Sequence, residues 1–112
     1  MRNSRGIVLA VLILGAGCSR APQITISNLS DVTLSNVLVS GSGFSERIGN
    51  IAPRADFKLT VHPVGDSGIR VAFDASGQHI DSGEQDYIEP SGGYRASVVV
   101  GPDLKVSASS KL

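Results

Sequence analysis

Short runs of alternating apolar and polar residues, each closed by turn formers after roughly 8–12 positions, constrain this chain more than any other feature. Such alternation buries one face of a strand. Thirteen Gly and five Pro are spread along the chain, which favours many turns over long helices. Beyond the N-terminal stretch no segment reads as a helix.

Gln23 to Asn28 sets Ile24 and Ile26 against polar neighbours, and Asn28 to Asp31 is turn chemistry. Val32 to Ser40 changes phase, which predicts a bulge near Asn36 or a segment buried on both faces. Gly41 to Ser45 reads as a flexible connection carrying Phe44, and Arg47 to Ile51 as a weak strand interrupted at Gly49. Asp56 to His62 alternates most clearly, with Phe57, Leu59 and Val61 toward the core. After a loop over Pro63 to Gly68, Ile69, Val71 and Phe73 point inward. Ala75 to Gln78 suits a hairpin turn with Gly77 at a positive φ. A partner strand follows around Ile80, then a short one over Gln85 to Ile88. Tyr94, Ala96, Val98 and Val100 share one face of the last strong strand. Leu104 to Ala108 adds an edge strand, and Ser109 to Leu112 is expected to fray. The pattern resembles the immunoglobulin-like sandwiches of exported proteins, without their Cys, Trp, Cys set. The expected fold is therefore all-β: a small immunoglobulin-like sandwich of about 7–9 short antiparallel strands, with a small barrel as the alternative.

The first 17 residues stand apart. Arg2 and Arg5 precede the apolar run Ile7 to Leu14, and small residues follow. That is the layout of an export signal. The run is shorter than the ~20 apolar residues that span a bilayer. Gly15-Ala16-Gly17-Cys18 resembles the lipobox of bacterial lipoprotein precursors, with Leu14 one residue earlier than that family usually places its leucine. The resemblance implies cleavage before Cys18, acylation of Cys18 and, with Ser19 next, sorting to the outer membrane. The expected organisation is a signal peptide over 1–17, a lipidated cysteine and tether over 18–22, and one all-β domain over 23–112. Cys18 is the only cysteine, so no disulfide forms within the chain.

Loss of Arg2 and Arg5 leaves eight basic residues against ten acidic ones, a net charge near −2. No basic patch for nucleic acid and no Lys/Arg run for an anionic surface is visible. Three Phe, two Tyr and no Trp make a poor stacking surface.

Chemistry-bearing residues are sparse. Gly65-Asp-Ser-Gly68 resembles the nucleophile segment of chymotrypsin-like proteases, but the chain is about half their length, and His62 lies too near Ser67 in sequence to act as its base. The segment is also ordinary turn chemistry. His62 and His79 lack metal-ligand spacing. The acidic residues from Asp74 to Glu89 lack a calcium-loop pattern and suit a solvated strand edge. The expectation is a non-enzyme without metal or cofactor. It is held to the membrane through Cys18 and binds another envelope protein, not nucleic acid, along the Arg47 to Ile51 edge. Phe44 is either a contact residue there or a lid on the core. Two alternatives are a hydrolase inhibitor or immunity-like lipoprotein presenting Pro63 to Gly68, and a small-ligand or metal carrier.

Overall fold

The computed structural model describes residues 20–111; the expected signal peptide over 1–17 and Cys18 lie outside the described residues. Nine strands form among them: β1 (Gln23–Asn28), β2 (Leu34–Gly41), β3 (Phe44–Ile51), β4 (Asp56–Thr60), β5 (Ser67–Ala75), β6 (Gln78–Asp81), β7 (Gln85–Ile88), β8 (Arg95–Val100) and β9 (Val106–Lys111). They build two sheets. One has four strands in the order β4-β1-β8-β9. The other has five, in the order β3-β2-β5-β6, with β7 continuing along β5 beyond β6. The sheets do not close into a barrel, so the fold is a β-sandwich.

Alternation decides which side faces in. Ile24, Ile26, Ala96, Val98 and Val100 of the four-stranded sheet meet Val37, Val39, Ile69, Val71, Phe73 and Ile88 of the other in one buried cluster. These residues are β-branched, aromatic or small, types that fit between two packed pleated surfaces.

Four expectations are corrected. The pairing is not wholly antiparallel, because β1 runs parallel to β8 from Gln23/Arg95 to Asn28/Val100. β1 is joined to neither β8 nor β9 in sequence, so no hairpin fixes its direction. Gly41 to Ser45 is not a flexible connection. Only Ser42 and Gly43 leave the ladder, Gly43 at φ 79°, and β3 starts at Phe44. The C-terminal serines are not frayed: Ser109, Ser110 and Lys111 pair with Ser97, Ala96 and Arg95, and Ser110 Oγ donates to the Tyr87 carbonyl at 2.9 Å. Phe57 does point inward beside Ile26, but β4 is a sheet edge and leaves it 39% exposed.

The expected irregularities do occur. The β2–β3 register shifts between Leu34 and Leu38, where Asn36 has φ 53° and Gly49 φ 92°. Ser76 and Gly77 both take positive φ in the β5–β6 turn, as a type I′ hairpin requires.

Candidate functional site

Strand directions gather the Ser42–Gly43 turn, the loop over 61–66, the loop over 89–94, Arg20 and Lys111 at one end of the sandwich. This is the end at which the chain enters the domain. Arg20 is fixed there: its carbonyl accepts the Gly93 N–H at 3.0 Å. Its guanidinium lies so close to Gly93, itself at φ 71°, that a Cβ on that residue would crowd it.

β3 is one edge of the five-stranded sheet, and it carries Arg47. A two-residue hairpin closes on a hydrogen-bonded pair, here Gly41/Phe44. Bonded and non-bonded pairs then alternate, so Leu38/Arg47 and Ser40/Ser45 are non-bonded pairs. The backbone N–H and C=O of Ser45 and Arg47 thus point outward, away from β2, where a further strand would pair. A second copy of this chain pairing antiparallel about Arg47 or about Glu46 would set each of those charges opposite itself. Like charges placed so are destabilising, so these two registers are disfavoured.

Phe44 is half-buried and packs against the core. Its ring crosses Gly41 so closely that a Cβ there would overlap it. Phe44 therefore caps the core at the hairpin and offers a partner only its outer edge.

The other candidates are held in local structure. Ser67 is buried; its Oγ accepts the Ser42 N–H at 2.8 Å and donates to the Gly68 carbonyl at 2.6 Å. That hydroxyl fastens the β2–β3 turn to the start of β5. His62 follows β4 in one sheet, whereas His79 lies in β6 of the other, with its Nδ1 2.7 Å from Asp74 Oδ1. Asn36 and His79 hold the Asp74 carboxyl below its usual range, and the Gly83 N–H and Arg70 do the same for Asp81. The Tyr87 hydroxyl donates to Glu89 Oε2 at 3.0 Å, and the nearby carboxylates of Asp66 and Glu89 raise its pKa. Among the described residues no three His, Cys, Asp or Glu side chains are grouped to hold a metal ion.

A second surface brings together cations that are far apart in sequence. Register places Thr60, Gln23, Arg95 and Lys111 in one row on the outer face of the four-stranded sheet. Lys58, Thr25, Ser97 and Ser109 form the next row, and Asp56, Ser27, Val99 and Ser107 the third. The cations come from three separated strands, so no run of Lys and Arg announces them. Among the described residues none of Lys58, Arg95 and Lys111 has a carboxylate within ion-pair distance, nor has Arg20, whereas Arg70 on the other sheet is paired with Asp81 at 2.9 Å. Arg95 separates two open clefts. One, of about 450 Å³, is lined by Arg20, Gln23, Tyr94 and Arg95 with Ala21 and Gly93; the other, of about 160 Å³, by Ser97, Ser109, Ser110, Lys111 and Arg95.

No family model and no curated protein matches the chain. It is similar in structure to a protein from Eubacterium rectale solved by NMR, with a TM-score of 0.50 and 14% sequence identity, over 80% of this chain and 87% of that one. At that identity the likeness extends to the fold.

Proposed function

We propose that this chain is a lipid-anchored protein of the bacterial envelope, held by acylated Cys18, whose domain captures an extended segment of another envelope protein along β3. Its role is non-enzymatic binding or assembly, at the outer membrane. The export-signal layout and the lipobox resemblance support the location. The observation that carries the binding role is β3 itself: an eight-residue edge strand whose Ser45 and Arg47 present unpaired backbone groups. Added strands take their affinity from such groups.

Arg47→Pro tests this in intact cells by crosslinking. The N–H it removes points away from β2, so the hairpin ladder survives and the domain stays folded. Capture of the crosslinked partner is expected to fall about tenfold, the loss of one bond plus the clash of the ring. Undiminished capture by a folded Arg47→Pro protein would remove β3 from consideration. Phe44→Ala is the weaker probe, because it also opens the core.

One observation favours a second reading, a periplasmic hydrolase inhibitor. Val64 is 71% exposed at the tip of its loop, yet the loop is braced: the Val64 N–H donates to the Ser42 carbonyl at 2.8 Å and Ser42 Oγ donates to the Val64 carbonyl at 3.0 Å. A braced loop loses little freedom on binding. In that case the purified protein inhibits an envelope hydrolase, and Val64→Asp weakens inhibition about a hundredfold.

A further inference from the structure

We propose that the outer face of the four-stranded sheet docks onto anionic phospholipid headgroups, so that the domain lies on the membrane with its β3 edge raised from it. The proposal rests on the anchored reading above and adds an orientation to it. Three observations converge. Arg20, Arg95 and Lys111 stand together at the end where the chain enters, Lys58 lies on the same face at the β4 edge, and none of the four has a carboxylate partner among the described residues. Serine and threonine hydroxyls from Thr25, Ser97 and Ser109 fill the ground between them, and these can donate to phosphate oxygens. Finally, charge is divided between the two sheets. The face just described holds one carboxylate, Asp56, whereas the β6–β7 side of the other sheet carries Asp74, Asp81, Glu84 and Asp86 with Arg70.

Asp66 and Glu89 lie at the same end, where Glu89 accepts the Tyr87 hydroxyl of the five-stranded sheet at 3.0 Å. Adjacent strands are about 4.8 Å apart, so Arg95 and Lys111 reach neighbouring phosphates on one side of the sheet while Arg20 covers the other flank of Arg95. From Cys18 to Arg20 the chain spans at most about 7 Å, so an acylated Cys18 would hold this row at the headgroup layer.

The experiment uses the acylated full chain on phosphatidylcholine vesicles, with or without phosphatidylglycerol, bearing a headgroup-linked quencher. A thiol-reactive fluorophore is placed at Ser109→Cys on the docking face or at Ser45→Cys on β3. On the anionic vesicles the Ser109 position is expected to be quenched severalfold more than the Ser45 position. The difference disappears on phosphatidylcholine alone, in high salt, and in Arg20→Gln/Arg95→Gln/Lys111→Gln. Equal quenching at both positions on the anionic vesicles overturns the docking face. Failure of the anchored reading is separately visible, because an unmodified Cys18 takes a second label and the protein does not float with phosphatidylcholine. In that case docking is read from flotation with anionic vesicles alone. Each cation contributes about fivefold at such a surface, so the triple variant should bind about a hundredfold more weakly. No flotation with either vesicle overturns the docking face as well.

Discussion

Replacing Asn28 with Ala is expected to lower the stability of the domain by about 3 kcal/mol. Its melting midpoint should then fall by roughly 12–24 °C. Asn28 is fully buried at the end of β1. Its Nδ2 donates to the carbonyls of Val32, Ile51 and Ala52 at 2.8, 3.1 and 3.1 Å. Its Oδ1 accepts the Ser30 N–H at 3.0 Å and the Ser30 hydroxyl at 2.6 Å. One side chain thus joins β1, the loop after it and the end of β3. Alanine leaves these groups buried without partners, and the desolvation of each is then uncompensated. Ser30→Ala removes fewer bonds and should cost about 1 kcal/mol. Asn28→Asp separates the donors from the acceptor. It keeps the acceptor, removes the amide hydrogens and buries a carboxylate, whose pKa burial raises. A raised folded-state pKa means that the proton stabilises the fold. The deficit relative to wild type is therefore smallest below the unfolded carboxyl value of about 3.9 and grows as pH rises through the folded value. A deficit independent of pH would show that residue 28 is not buried as described. Urea melts from pH 3 to pH 7 make the comparison.

Asn28 also shows where sequence reasoning stops. Its turn role is legible, because Asn and Ser bond their own backbone. Its reach to Ile51 is not, since that contact exists only once the sheet arrangement is set. The same divide runs through the rest of the fold. Strands with one buried face, such as Ile69-Arg-Val-Ala-Phe73, declare themselves by period. The phase break in β2 and Gly49 in β3 declare a bulge. Only the second half of β9 is hidden: Ser109, Ser110 and Lys111 are all polar, although Ser110 faces in beside the buried Ala96, so these residues read as a fraying tail. The ladder to β8 holds them regardless of side chain. Arg47 is legible as part of a weak strand with charge, the usual marking of an edge. The basic face is not legible, because Arg95 and Lys111 become neighbours, and Lys58 joins their face, only through the β4-β1-β8-β9 order, and that order includes a parallel pair that alternation does not encode.

The three phenylalanines turn this architecture into a graded test. Phe73 is fully buried on β5, opposite Ile80 of β6 and within the inner layer. Phe73→Ala should cost about 3–5 kcal/mol, because β5 is bounded by β2 on one side and β6–β7 on the other and cannot collapse into the space. Phe57 is inward-facing but on the edge strand β4, where water already reaches it, so Phe57→Ala should cost about 1 kcal/mol. Phe44 falls between them, at about 2 kcal/mol, since its ring covers Gly41 while keeping one edge in solvent. Denaturant midpoints at constant slope give the ranking. An equal cost at Phe57 and Phe73 would mean that something covers β4, and the four-stranded sheet would then have one free edge fewer than described. The expected ranking has a functional consequence. Phe57, the phenylalanine expected to contribute least to stability, lies in β4 on the sheet that carries the basic face, whereas Phe44, beside the β3 edge, is needed by the core. Partner capture along β3 therefore has to draw on backbone groups and on Arg47, and a variant that removes the outward N–H at residue 47 separates binding from folding in a way that no aromatic substitution in this domain does.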